Sequence, residues 1–372
     1  VRTVKDALRE AKISHTRLAS ELGMSIASVS LIVNHGRFPK GRKQKEVRDT
    51  VNGILTARNV DVTGIWRFLD GRDENNDEDE AEQEVNVMLS QAAKRQFGVF
   101  QDPFVDDVNG QEDVYLGDSS RYVAEYMYMT AKVGGMLAVL GESGSGKTTL
   151  RRYMSDRINQ EGLKVKVIFP RTIDKTRLTA TSIADAIVED CSTERPKRTL
   201  EAKARQVERI LTASSRAGWS HVLVIEEAHD LAIATLKYLK RFWELEDGFK
   251  KLLAIILIAQ PELKSKLDES RNWEAREIIR RVEVAEIESL ARPGELEAYL
   301  QLKMKRIGRD VKELVDESAY NAMRERLARR TRGGQAISLA YPLTVNNLVK
   351  RSMNLAAEIG QSRIDAETVL SA

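Results

Sequence analysis

Gly141-Glu-Ser-Gly-Ser-Gly-Lys-Thr148 is the stretch that decides the fold of this 372-residue chain. It matches G-x-x-x-x-G-K-[ST] and lies between an apolar segment and a helical pattern, where a phosphate-binding loop has to sit. Glycines let the loop curl until its backbone N–H groups point inward, and the helix that follows adds positive potential at its N-terminus. Gly141, Glu142, Ser143, Gly144, Ser145, Gly146, Lys147, Thr148 and Thr149 are therefore the expected contacts for ATP. Lys147 reaches the outer phosphates and Thr148 is a ligand for Mg2+.

Downstream, Val222-Leu-Val-Ile-Glu-Glu-Ala-His229 is an apolar strand ending in two carboxylates. A carboxylate at that end can hold magnesium-bound water and its neighbour can polarise the attacking water. Glu226 is assigned to the metal and Glu227 to the general base. His229 and Asp230 either orient groups there or cap the next helix. The apolar run at 252–258 leads into Gln260, which serves as a sensor of the γ-phosphate or as a turn residue before Pro261. Arg276, Arg280 and Arg281 are candidates for a finger reaching into a neighbouring subunit, where positive charge stabilises the transferring phosphoryl group. Arg280 and Arg281 are preferred, with nothing to separate the two.

Working outward, strand-like segments at 136–140, 164–169, 221–225 and 252–258, with a short one at 281–284, alternate with helical patterns at 119–131, 202–214 and 232–244. Alternation with strands apolar on both faces predicts an α/β fold, a parallel sheet covered on both sides. After Arg292-Pro-Gly294 the pattern is helical to the end, a C-terminal helical lid. The expected organisation is 1–69 a small all-α domain, 70–90 an acidic flexible linker, 91–291 the ATPase core and 292–372 the lid.

The net charge of +3 conceals this division: residues 1–72 carry +7, residues 73–90 carry −8 with eight acids and no base, and the remainder carries +4. The acidic stretch holds too little apolar surface to fold alone. In 3–36, apolar residues recur at helical spacing in three short segments, with Gly23 as a break and Ser25 as an N-cap, the outline of a helix-turn-helix. Ser25, Ser28, Ser30 and Asn34 are candidates to face base edges, and Arg37, Lys40, Arg42, Lys43 and Lys45 to hold phosphates. The candidate reading helix has no Arg or Lys, so strong base discrimination is not expected. The same domain also suits protein docking. In the ATPase body, Lys175 and Arg177, with Arg195, Lys197 and Arg198 beyond them, are candidates for DNA contact.

Several classes fall away. One cysteine, Cys191, cannot form an intrachain disulfide, and four scattered histidines form no metal cluster. The N-terminus lacks the apolar core of a signal peptide, and the longest apolar run is too short for a bilayer. The expectation is a soluble protein of the cytoplasm without a membrane partner, the host bacterial cytoplasm if the chain is phage-encoded.

From Phe97-Gly-Val-Phe-Gln-Asp-Pro-Phe104 through the phosphate loop and Glu226-Glu-Ala-His229 to Gln260-Pro-Glu-Leu263, the chain resembles the AAA+ ATPases of the general-secretion ExeA type and the transposon target-selection ATPases TnsC and TniB. With the N-terminal helix-turn-helix, the whole resembles the B transposition proteins of Mu-like phages. The resemblance implies a P-loop AAA+ parallel-sheet domain with a C-terminal helical subdomain. It also implies ATP-dependent, largely sequence-nonspecific binding of double-stranded DNA as a homo-oligomer, delivery of that DNA to a transposase, stimulation of strand transfer, and release on hydrolysis. An ATP-switched transcription or replication regulator with a sequence-reading domain is the alternative, and a secretion-type ATPase a more distant one. Two departures stand out. Glu226-Glu227 replaces the usual Asp-Glu, and Gly333-Gly334 is followed by Gln335-Ala-Ile337, so a second sensor arginine is missing or replaced by Arg332. Weak ATP hydrolysis that depends on oligomer and DNA is the expectation.

Overall fold

The computed structural model describes residues 3–35, 38, 44–58, 60–66, 87–105, 108–170, 177–330 and 336–372. Arg37, Lys40, Arg42, Lys43, Lys175, Arg332 and the acidic residues 73–84 lie outside the described residues. The chain forms two compact units, residues 1–106 with 291–372, and residues 107–290.

The first unit begins with short, individually capped helices. Thr3 and Asp6 form a reciprocal capping box on α1 (Val4–Glu10), and Ser14 caps α2 (His15–Leu22). Gly23, at φ 58°, closes α2 in the left-handed region that a side chain would strain, and Ser25 caps α3 (Ile26–Ser30). α2 and the helical stretch that follows it cross at 110°. The sequence predicts one regular helix across 26–33, but the α-helical pattern ends at Ser30 and continues as a π-helical turn over Leu31–His35. With α4 (Gln44–Thr56) these helices bury Leu8, Leu18, Ile32, Val51, Leu55 and Ile65 together. α5 (Gln91–Gln96) and the aromatic loop after it belong to the same unit, where Phe97 and Phe104 are buried and Phe100 is exposed.

The second unit is the α/β body. Its elements are α6 (Asp118–Val133), β1 (Met136–Leu140), α7 (Lys147–Gln160), β2 (Val165–Ile168), α8 (Ala180–Cys191), α9 (Leu200–Arg216) and β3 (Ser220–Ile225). There follow α10 (Ile233–Trp243), a hairpin of β4 (Glu246–Asp247) and β5 (Lys250–Lys251), β6 (Ala254–Ala259), α11 (Leu263–Lys266), α12 (Arg276–Ile279) and β7 (Glu283–Glu286). The five long strands form one wholly parallel sheet in the order β2-β3-β6-β1-β7. Successive residues feed opposite cores. Leu137, Val139, Val222, Val224 and Ile256 pack beneath α6 and α7, while Met136, Ala138, Leu140, Leu223, Ile225 and Leu257 pack beneath α8, α9 and α10. Cover on both faces is why β1 and β6 are apolar at every position.

His221 ties this body together. It is fully buried, its Nδ1 lies 3.0 Å from the Leu252 carbonyl and its Nε2 lies 2.8 Å from Ser214 Oγ. Since a carbonyl only accepts, Nδ1 carries the proton and Nε2 accepts from the serine. Burial pushes its pKa down to about 4, helped by the charges of Lys166 and Lys250. A histidine whose folded pKa lies below its unfolded one takes up a proton on unfolding. Stability is therefore lost as pH falls from the ordinary histidine value toward about 4. Urea unfolding at pH 7 and pH 5 should show this loss, on the order of 1–2 kcal/mol by pH 5. A His221→Asn variant, though less stable at pH 7, should show a shallower pH slope; an unchanged slope would exclude His221 as its source.

The C-terminal part of the first unit contains α13 (Glu295–Lys305), α14 (Val311–Leu314), α15 (Glu317–Arg326), a hairpin of β8 (Ala328–Arg330) and β9 (Ala336–Ser338), α16 (Pro342–Ile359) and α17 (Ala366–Ser371). The hairpin corrects the expectation of helix throughout. α16 is the centre of this unit. Asn354 exchanges hydrogen bonds with the backbone of Ser90 and Met88, at 2.8 and 2.9 Å, and the buried Lys350 pairs with Asp102 at 3.6 Å. α3 packs against α16 and α17, leaving Ala27, Val29 and Ser30 buried. Among the described residues no single helix is long and apolar enough to cross a membrane.

Candidate nucleotide site

The sheet order brings the sequence-predicted residues into one row. β6 lies between β1 and β3, so the loop after β1, Gln260 after β6, and Glu226-Glu227 after β3 emerge side by side at the C-terminal edge. Gly141 N–H donates to Ala259 O at 3.2 Å, which locks the first residue of the loop to the end of β6.

The loop is shaped for phosphate. A Cβ on Gly141 would press on Ser145 Oγ, so a larger residue there would force the serine side chain to shift. Gly144 and Gly146 hold positive φ, at 69° and 94°. Ser145 Oγ is buried with no hydrogen-bond partner, an orphan polar atom inside the loop. Lys147 opens the fourteen-residue α7 and folds its ammonium onto the Gly141 and Glu142 carbonyls, both at 2.8 Å. Burial holds the Lys147 pKa below its ordinary value, while Glu227, Glu142 and Glu262 oppose that shift by charge. Thr148 is exposed at the helix start. These features fit the phosphates of a nucleotide: a helix N-terminus, an ammonium at its first residue and a small cradle.

Glu226, at the end of β3, accepts from Arg151 Nε at 2.9 Å. Arg151 stands one turn along α7 from Lys147, its guanidinium 5.1 Å from the Phe169 ring centre. Sequence reading missed it, although its spacing four residues after Lys147 puts it on the same helix face. Glu227 has φ 53°, one of two non-glycine residues in the left-handed region among those described. This backbone conformation is strained for a glutamate and is typical of side chains held for function. Its Oε2 lies 3.5 Å from His229 Nδ1, and the same nitrogen accepts from Gln260 N–H at 3.4 Å. Lys266 clamps the loop by donating to the His229 and Leu231 carbonyls. Glu227, His229 and Gln260 are thereby assembled around one point, with the charge of Lys147 near.

No group of three His, Cys, Asp or Glu side chains gathers into a metal cage among the described residues. A magnesium ion here would rest on Thr148, Glu226 and the nucleotide itself, the usual economy of Mg2+ sites. When bound, it supplies Lewis-acid stabilisation of the phosphate charge.

The arginines lie apart from this row. Arg276 stacks on Trp273, 4.2 Å from its ring centre, Arg280 is held by Glu269 with Nε at 3.0 Å, and Arg281 lies 5.5 Å from the Trp243 ring centre. Arg280 and Arg281 are exposed. Of the candidate DNA contacts, Ser25 Oγ caps α3 and pairs with Ser28 Oγ at 2.9 Å, and Asn34 donates to the buried Ser30 Oγ at 2.9 Å. Lys45 and Arg177 are exposed.

Residues 131–267 match the AAA domain family. The chain is similar to the general secretion pathway protein A of Aeromonas hydrophila, 30% identical over 174 residues that cover 46% of this chain and 30% of that protein. It therefore spans less than a third of the length of that relative. Among solved structures it is similar to Cdc6p of Pyrobaculum aerophilum, with 14% identity, a TM-score of 0.47 and coverage of 70% of this chain and 67% of that one. It is also similar to the Aeropyrum pernix ORC1 protein solved in complex with DNA, with 17% identity, a TM-score of 0.44 and coverage of 72% and 66%. The P-loop, the parallel sheet and the family match together make this body an AAA+ ATPase domain that binds ATP, accompanied by N-terminal helices and a C-terminal helical subdomain.

Proposed function

We propose that this protein assembles on double-stranded DNA in its ATP state, presents that DNA to a partner transposase and stimulates strand transfer, with hydrolysis releasing it. Mg-ATP is bound by residues 141–149 with Glu226, Glu227 is the base, Gln260 senses the γ-phosphate, and Arg276, Arg280 or Arg281 acts across a subunit boundary. The protein works in the cytoplasm as a homo-oligomer.

The observation that carries this reading over its rival is the polar content of α3. A helix that reads bases needs free donors and acceptors on its outer face. Here Ser25 Oγ donates to Ser28 Oγ, Asn34 Nδ2 donates to Ser30 Oγ while Asn34 Oδ1 is buried away from the surface, and Ser30 is buried. Neither α3 nor the turn after it contains Arg or Lys. Such a module suits binding without sequence choice, where affinity comes from phosphate contacts. The second reading, an ATP-switched replication or transcription regulator, is favoured by the 110° crossing of α2 and the next helix, the geometry of a helix-turn-helix reader.

Electron microscopy of the protein on random-sequence duplex tests both. Filaments or rings should appear with ATP and be lost with ADP or without nucleotide. Discrete particles confined to one sequence would overturn the first reading in favour of the second.

A further inference from the structure

Phe249 is fully exposed at the tip of the β4–β5 hairpin, beside Gly248 at φ 65°. This hairpin stands at the N-terminal edge of the sheet, the end opposite the phosphate loop. It is firmly held: Arg216 grips Asp247 through two bonds of 2.9 Å, Lys251 pairs with Glu246 at 3.0 Å, and Leu252 N–H donates to Leu245 O at 3.0 Å. The turn thus holds one aromatic ring wholly in water, and what surrounds that ring decides what it suits.

Three exposed lysines share this edge. Lys250 is next to the tip. Lys132 is the penultimate residue of α6, and its carbonyl accepts from Ser220 Oγ at 3.4 Å, while the Lys164 carbonyl accepts from Ser220 N–H at 2.8 Å. The nearby acids are already engaged, Glu246 by Lys251, Asp247 by Arg216, and Glu161 by Arg157 and Tyr128. What the edge offers outward is positive charge around one apolar ring. An uncharged partner would have to desolvate the lysines without pairing them. A nucleic acid supplies both phosphates and flat aromatic surface.

Resting on the DNA reading above, we propose that this edge is a second contact for duplex DNA, in which Lys132, Lys164 and Lys250 take phosphates and Phe249 wedges against a base step. It lies in the ATPase body at the far end from the nucleotide, so both ligands can be held at once.

The test is fluorescence anisotropy of a labelled random-sequence duplex with the full chain and ATP across a salt series. Phe249→Ala should weaken binding about tenfold. Lys164→Ala and Lys250→Ala should each weaken binding and lower the salt slope by about one. A duplex carrying 2-aminopurine should brighten with the wild type and not with Phe249→Ala, a signal that charge alone does not produce. DNA-free ATPase rates and urea midpoints should match the wild type. Equal duplex binding and equal salt slopes in wild type and variants would overturn the proposal while leaving the DNA reading intact, and would point to a protein partner. Loss of single-strand binding alone would overturn it too. A wild type that binds no duplex would overturn the DNA reading and this contact together.

Discussion

Lys147→Ala should lose ATP affinity on the order of 100-fold, because a charged donor to a buried anion is removed and the phosphate is left uncompensated. The geometry gives the reason for so large an effect. Lys147 is the cation at the mouth of a loop whose other donors are backbone N–H groups, and its ammonium already rests on the Gly141 and Glu142 carbonyls. Titration with a fluorescent ATP analogue measures the loss, with a thermal melt to show that the body still folds. ATP-driven assembly on DNA should vanish with it. Retention of parental affinity would remove Lys147 from the phosphate site.

Glu227→Gln should behave in the opposite way. The amide keeps the size and the neighbourhood of His229 but cannot accept a proton, so hydrolysis should fall by about 100-fold or more while ATP binding persists. Since Glu227 has no metal role in this scheme, Mg2+ dependence should stay as in the wild type. Assemblies on DNA should outlive those of the wild type if release depends on the blocked step, as proposed. Single-turnover hydrolysis and filament lifetime give the two readouts. If Glu226→Gln instead produced this pattern and Glu227→Gln did not, the roles of the adjacent carboxylates would be exchanged.

The nucleotide pole was legible in the sequence because each part is local. The loop's glycines are spaced for a turn, strands buried on both faces are continuously apolar, and Glu226-Glu227 follows directly from β3. The sheet order, which sets Gln260 between the loop and the carboxylates, needed the tertiary pairing of β6 with β1 and β3. Other features were hidden for physical reasons. The β4–β5 hairpin is too short and too charged to show alternation, and it sits between a helix and a strand that dominate any window. The β8–β9 hairpin is exposed along β8 and so has no apolar face to reveal it. The packing of α3 against α16 joins residues such as Ser30 and Glu358, 3.5 Å apart across 328 positions, a distance in sequence that no local pattern spans.

The Arg151–Glu226 pair has one further consequence. The guanidinium is the resident counter-ion of the carboxylate, so if Glu226 holds magnesium as proposed, Arg151 would compete with the metal for it. The metal's affinity would then be reduced by the free energy of the pair it displaces. Arg151 is on α7, the helix that Lys147 opens. Nucleotide loading would then be accompanied on this domain by a released arginine.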